Sequence, residues 1–236
     1  MRDEIVKKLL ALNKVFYSRF AVTFAQSRDN PQPGFIDLMD NLPQPCERVV
    51  DVGCGNGRFG QFLRIYLPEF DYTGIDFTAD LLTLAAERVE GSFFERDICR
   101  PGFLDKLGNF DLIICLATMQ HIPGRSNRLQ LLLEMKKHLT PTGGIFLANW
   151  QFMSSLRQRR KIRDWELVGL NKNDVENGDY LLSWNREGSG LRYVCLIDTN
   201  DTAVLAEEAG LTIQNQFRSD GKEGNLNLYT VCVHAP

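Results

Sequence analysis

A few points in the sequence gather residues able to do chemistry. Asp51-Val-Gly-Cys-Gly-Asn-Gly57 sets three glycines directly behind the apolar run Arg48-Val-Val-Asp-Val52. Glycine lets a backbone turn sharply and approach a ligand closely. In open α/β sheets, ligands bind at the carboxyl ends of strands, where such a turn would lie. Asp76 ends a second strand-like run, Tyr72-Thr-Gly-Ile-Asp76. A carboxylate there can accept hydrogen bonds from two ribose hydroxyls. The dinucleotide fingerprint G-x-G-x-x-G fails, because Arg58 fills its sixth position and glycine arrives one residue early, at Gly57. His121 follows a fourth apolar run. It is either a general base toward a hydroxyl or amine, or a hydrogen-bonded wall residue. Trp150 ends a fifth run and either lines an acceptor pocket or belongs to the core.

The elements that position these residues alternate. Residues 1–26 carry helical apolar spacing through Leu9, Phe16 and Phe20, broken by Asp29-Asn-Pro-Gln-Pro-Gly34. A short helix, Phe35 to Leu42, follows. Strands are expected at 48–52, 72–76, 92–96, 110–116 and 145–150, with helices at 58–67, 81–89 and 125–139 between them. Strands alternating with helices imply a parallel, doubly wound α/β sheet. Thr202 to Ala209 reads as a helix, followed by strands at 211–217 and 226–233. The loop Arg218–Asn225 is too short for a helical crossover, so these last strands form an antiparallel hairpin. The expected organisation is a single domain. Residues 1–44 form N-terminal helices, 45–150 a cofactor-binding core, 151–200 an insertion or lid, and 201–236 a C-terminal helix and hairpin.

The composition is 44% hydrophobic and 24% charged, which supports a packed globular core. No apolar run reaches the ~20 residues that span a bilayer. The first ten residues are too charged for a signal-peptide core. A cytoplasmic protein with no membrane partner is expected. None of the six cysteines forms a C-x-x-C pair, so reduced, mostly buried thiols are expected. No two of the three histidines are close enough in sequence to suggest a local metal site, and none is expected. A net charge of -3 argues against a general phosphate-gripping surface. Arg157-Gln-Arg-Arg-Lys-Ile-Arg163 is a local exception. With Trp165 and Trp184 nearby, it could hold RNA phosphates and stack a base, or simply be a solvated face.

The glycine loop, Asp76, the turn Pro141-Thr-Gly-Gly144 and the terminal hairpin together resemble the class I S-adenosylmethionine-dependent methyltransferases. The likeness spans roughly residues 45–150 and 202–233. It implies a seven-stranded, mostly parallel Rossmann-like sheet with an antiparallel last strand, and S-adenosylmethionine as cofactor. The cofactor would be held by Asp51, Gly53, Cys54, Gly55, Asn56, Gly57, Asp76 and Phe77. Asp97 and Ile98 would meet the adenine, and Cys115 and Leu116, at the end of the fourth strand, would also bind the cofactor.

A narrower resemblance is to the tRNA wobble-uridine carboxymethyl methyltransferases. It rests on Phe16–Arg28, on Gln120-His121, on Gly178–Trp184 and on Leu191-Arg-Tyr193. In this chain Gln120, Ser183, Val194 and Cys195 depart from that pattern. The resemblance implies a carboxylate acceptor. Such a group is ionised at neutral pH and needs orientation but no base. Arg28 and Arg192 are then the catalytic candidates beside His121, with Trp150, Trp184 and Tyr193 at the substrate. The implied partners are a small-molecule or RNA acceptor and a small activator subunit. Three readings stay open: a small-molecule methyltransferase, an RNA wobble-base methyltransferase, and a cofactor-binding sensor without turnover.

Overall fold

The computed structural model describes residues 1–26, 31–184 and 188–235, with side chains for all of these except 21–26. In chain order the first half comprises α1 (Asp3–Gln26), α2 (Pro33–Met39), β1 (Arg48–Val52), α3 (Arg58–Tyr66), β2 (Asp71–Asp76), α4 (Ala79–Arg88), β3 (Ser92–Glu95) and β4 (Phe110–Leu116). Then come α5 (Arg125–Lys137), β5 (Leu139–Trp150), α6 (Leu156–Arg159), β6 (Ile162–Arg163), β7 (Asp179–Trp184), β8 (Gly190–Cys195), α7 (Thr199–Glu208), β9 (Leu211–Ser219) and β10 (Asn227–His234).

Seven strands make one sheet in the order β3-β2-β1-β4-β5-β10-β9. The pairs β3-β2, β2-β1, β1-β4 and β4-β5 are parallel. β10 runs antiparallel to both β5 and β9. The chain thus has the doubly wound methyltransferase architecture with a reversed last strand.

Helices cover both faces of this sheet, which is why its central strands are apolar throughout. Leu112, Ile113, Ile114 and Cys115 of β4 are all buried. Alternate residues feed two cores. Val50, Ile113 and Ile145 pack with Leu131 and Leu205. Val49, Leu112 and Phe146 pack with Phe35, Phe59 and Phe62.

β5 starts earlier than the sequence pattern indicates, at Leu139. Pro141–Gly144 is absorbed as an irregularity, because Phe110 pairs with Leu139 but Leu112 already pairs with Gly144. Asp111 makes this possible. It accepts hydrogen bonds from Glu47 N, Arg48 N and Thr140 Oγ1 at 2.9, 3.0 and 3.0 Å, joining the starts of three strands. α7 begins three residues early because Asp198 and Asp201 form a reciprocal capping box.

Residues 151–200 break the alternation by forming a second sheet, β6-β7-β8, antiparallel throughout. It packs on α1. Asn13 of α1 does the joining: its Oδ1 accepts from Tyr193 N at 2.8 Å and its Nδ2 donates to Tyr193 O at 3.1 Å. One side chain therefore satisfies both backbone groups of a buried strand residue. No helix among the described residues is long and apolar enough to cross a membrane.

Asp220 closes the fold at the β9-β10 turn. Its carboxylate accepts from Gly34 N at 3.0 Å, Asn227 Nδ2 at 2.7 Å and Tyr229 Oη at 2.6 Å, all buried. Asp220→Ala would strand three donors. Each orphaned buried group costs about 1–3 kcal/mol, less than additively when neighbours relax together. Urea unfolding should show a loss of at least ~2 kcal/mol with an unchanged m-value. A loss within ~0.5 kcal/mol would show that this carboxylate does not hold α2 to the sheet.

Candidate active site

A cavity of about 320 Å³ opens at the carboxyl ends of β1, β2 and β4. Its floor is the glycine loop. Gly53 N and Cys54 N both donate to Ile75 O, at 2.7 and 3.0 Å. This double bond to one carbonyl folds the loop over β2. Gly53 has a φ of +76°, and a Cβ there would stand 2.3 Å from Thr118 Oγ1. Gly55, by contrast, would meet nothing within 4 Å, so its backbone faces open space. Asp76 fixes the loop from the other side, accepting from Gly55 N at 3.0 Å and Thr78 N at 2.9 Å.

Two buried carboxylates border this space. Asp51 is 3% exposed and accepts one hydrogen bond, from Tyr72 Oη at 2.9 Å. Burial pushes its carboxyl up to about 7, and the negative Asp76 adds to the shift, against the Tyr72 bond and the Arg58 charge. Burial also raises Asp76, opposed by the N–H groups of Gly55 and Thr78. The amide Asn56 Nδ2 is buried without a hydrogen-bond partner. A ligand complementary to this rim offers cationic groups and hydroxyl donors to the acids, and an acceptor to the amide. S-adenosylmethionine fits, with its ammonium, sulfonium, ribose diol and carboxylate.

The opposite wall is α1, through Leu10, Asn13, Lys14 and Tyr17. Tyr17 Oη lies 2.8 Å from His121 Nε2, and His121 Nδ1 lies 3.2 Å from Tyr193 O. A carbonyl only accepts, so Nδ1 carries the proton and Nε2 of the neutral ring accepts from Tyr17. Arg192 Nη1 donates in turn to Tyr17 Oη at 3.3 Å. The Arg192 guanidinium is 3% exposed and lies 5.1–5.8 Å from the ring centres of Phe16, Trp150 and Trp184. Its Nε has no partner, and no carboxylate among the described residues pairs with it.

Of the residues singled out from the sequence, Asp51, the loop Gly53–Asn56, Asp76, Phe77, Asp97, Ile98, Leu116 and His121 line the cavity. Gly57 and Cys115 do not. Gly57 is the left-handed cap of α3 and packs α3 on Ala85 of α4. Cys115 is fully buried in the core, where burial pushes its thiol up to about 12. Tyr193 lines no part of the cavity either. Its ring is fully buried and its hydroxyl donates to Asp179 Oδ1 at 2.7 Å. Arg192, Trp150 and Trp184 do not line the cavity; Arg192 lies one hydrogen bond behind Tyr17, with the two tryptophans against it. The described residues of 151–200 contribute nothing to the cavity wall; β8 among them backs α1, which does. Arg28 lies outside the described residues. Gln120 is structural, accepting from Trp150 N at 2.6 Å. Sequence reasoning missed the α1 wall, Arg58 and Thr118. The aromatic Phe16-Tyr17 pair and the position of Thr118 just after a strand were the available signals.

Comparison with known proteins agrees with this geometry. Residues 50–146 match the family described as a methyltransferase domain. A Clostridium acetobutylicum S-adenosylmethionine-dependent methyltransferase superposes with a TM-score of 0.68 at 14% identity, covering 94% of this chain and 100% of that one. A mouse (Mus musculus) tRNA (carboxymethyluridine(34)-5-O)-methyltransferase is 21% identical over 93% of this chain, which spans 32% of that relative. A Rhodopseudomonas palustris trans-aconitate 2-methyltransferase is 32% identical over 41% of this chain and 38% of that one. Residues 50–146 thus carry a methyltransferase domain, and the chain has the fold of the S-adenosylmethionine-dependent methyltransferases.

The burial of Asp51 has a measurable consequence. Its folded pKa lies above the unfolded value, so the folded state holds the extra proton between about 4 and 7. This group therefore destabilises the ligand-free protein as pH rises through that window, by an upper bound on the order of 4 kcal/mol. Asp51→Asn keeps an acceptor for Tyr72 and removes the charge. In urea unfolding without cofactor its stability advantage over wild type should grow from about pH 5 to pH 8. Equal differences at both pH values would show that Asp51 is ionised throughout.

Proposed function

We propose that the chain transfers a methyl group from S-adenosylmethionine to a carboxylate oxygen, giving a methyl ester. The observation that carries this is Arg192. A buried guanidinium with an unpartnered Nε and no counter-anion among the described residues is costly. An acceptor carboxylate offsets that cost, and arginine binds one bidentately. Two named relatives fit the same chemistry: carboxymethyluridine and trans-aconitate both bear carboxylates.

When bound, the cofactor supplies a methyl group on a positively charged sulfur. Asp51 offers its carboxylate to the cofactor's cationic end and Asp76 its remaining lone pairs to the ribose hydroxyls. Asn56 offers its amide, and Asp97 and Ile98 flank the base. Tyr17 on the cavity wall, with Arg192 one hydrogen bond behind it, would orient the acceptor for in-line approach. No residue of this chain has to move a proton, because the acceptor is already ionised. His121, with Nε2 engaged by Tyr17, serves to hold Tyr17.

A second reading shares the acceptor group but places it on tRNA. Arg157, Arg159 and Arg160 are exposed along and just after α6, and the mouse relative aligns with nearly the whole chain. Reversing these three charges should then cut activity on tRNA carrying carboxymethyluridine and flatten its salt dependence. Activity on small polycarboxylic acids should be left unchanged. Equal loss on both acceptors would assign the segment to folding instead.

Asp76→Ala should weaken cofactor binding by roughly 1–3 kcal/mol in calorimetry, because charge-assisted hydrogen bonds to the ribose are lost. Wild-type protein that binds no cofactor would end the reading.

Turnover with labelled cofactor should give a product whose label mild alkali releases, as an ester requires. Arg192→Met should lower kcat/KM at least 100-fold with cofactor affinity within a few-fold. His121→Gln should cost little and leave the profile flat from about pH 6 to 8. An alkali-stable product, or a rising limb near pH 6.5 that His121→Gln abolishes, would move the acceptor to a hydroxyl or amine.

A further inference from the structure

The start of β4 lies at the other end of the sheet from the cavity. There three side chains converge that the methyl-transfer reading does not use. Glu134 lies in the last turn of α5, and His138 caps that helix one turn later on the same face. Asp105 comes from the turn that precedes β4. Glu134 is 5% and His138 8% exposed. His138 Nε2 stands 3.5 Å from Glu134 Oε1 and 3.7 Å from Asp105 Oδ1. One ligand atom from each residue lies within 4.8 Å of the other two. Glu134 Oε1 and His138 Nε2 are both buried with no hydrogen-bond partner.

The ring's orientation narrows what can sit between them. His138 Nδ1 is 2.8 Å from Gly108 O, so Nδ1 carries a proton and donates it. In the neutral ring Nε2 is a lone pair facing two carboxylate oxygens. Three acceptors then share one space; Lys137 donates only to Asp105 at its exposed edge, and the two buried atoms have no donor. Either the ring is protonated or a cation fills the gap. A tetrahedral ion with bonds of about 2.0–2.2 Å separates its ligand atoms by roughly 3.3–3.6 Å. The two observed distances come within a few tenths of an ångström of that. The Nδ1–H bond to a backbone carbonyl is the support that metal-bound histidines use. The carbonyl end of α5 adds negative potential.

We propose a divalent-cation site of the zinc class, with Asp105 Oδ1, Glu134 Oε1 and His138 Nε2 as ligands and water completing the set. Imidazole with carboxylates suits zinc. The ion fastens the end of α5 to the turn before β4, where Phe110 N already donates to His138 O at 2.8 Å. Its role is structural, because the cavity lies at the opposite strand ends. Lys137 is the competing cation. Its Nζ donates to Asp105 Oδ1 at 2.9 Å and lies 3.9 Å from Glu134 Oε1. It is 58% exposed on a flexible stem and swings into water when the ion enters.

The test is zinc titration of the full chain after stripping with chelator, read by calorimetry and thermal unfolding. One ion per chain should bind and raise Tm by several degrees. Glu134→Gln and His138→Gln should each weaken binding roughly 10- to 100-fold or more. Asp105→Asn should weaken it less, and Lys137→Met should tighten it several-fold. The last two changes are at exposed residues and keep the test decisive if a buried variant fails to fold. Cobalt substitution should give a spectrum without a thiolate charge-transfer band. The proposal falls if zinc does not saturate, if a thiolate band places the ion on cysteine, or if Asp105→Asn and Lys137→Met both bind as wild type does.

Discussion

The site depends on one carbonyl. Ile75 O, near the end of β2, receives both Gly53 N and Cys54 N. That pair of bonds stops β1 where it does and turns the chain back over its neighbour. It also sets the ends of β1 and β2 side by side, so that Asp51 and Asp76 share one rim. Asp76 then answers by accepting from Gly55 N. The loop is held between a carbonyl and a carboxylate of adjacent strands, and its conformation is fixed before any ligand arrives. Such preorganisation limits the ordering that binding would otherwise demand. The constraint passes onward through Thr118, which donates to Gly53 O and whose carbonyl receives His121 N. Loop, Thr118 and His121 are therefore one connected unit.

The opposite wall needs its own support, because α1 is not part of the sheet. Buried polar ties hold it to the small sheet and to α5. Asn13 grips Tyr193. Tyr193 donates to Asp179, and Arg128 bridges Ile122 O, the Tyr193 hydroxyl and Glu176. Glu176 also receives Met1 N and Arg125 N. In such a network the loss of one member strands a charge, so the elements stand or fall together. The inserted segment thus reaches the cavity indirectly, by fixing the helix that lines it.

This division explains what the sequence could reveal. The glycine loop and Asp76 were legible because a backbone turn at a strand end demands particular residue types at fixed spacing. The doubly wound sheet and its antiparallel end were legible because apolar runs alternate with helical spacing and the last loop is too short for a crossover. The small sheet was not legible: its ties are single side-chain bonds between residues more than a hundred positions apart, such as Asn13 with Tyr193. Cys115 looked like a site residue by its place at a strand end and Tyr193 by family resemblance, yet packing turns both into the core. Arg58 was visible only as a failed glycine. Glu134 and His138 share a helix face at a spacing that histidine counting overlooks, and Asp105 joins them only in the fold.

Charge separation across the cavity gives the proposed chemistry its direction. The rim of Asp51 and Asp76 suits a cationic donor; the opposite side, where Arg192 backs Tyr17, suits an anionic acceptor. Reaction between them annihilates both charges, so the transition state is less polar than the reactants. A low-dielectric, water-poor site favours such a step. A bare guanidinium gripping the acceptor would partly undo this, because it would stabilise the anion more than the transition state in which the charge is fading. The surroundings of Arg192 moderate that grip. One of its nitrogens is committed to Tyr17, and three aromatic rings share its charge through cation–π contact. In the proposed reaction such a cage would hold the cation firmly enough to orient a carboxylate. It would also be soft enough to let that carboxylate's charge fade as its oxygen bonds the methyl carbon and the carbon–sulfur electron pair neutralises the sulfonium.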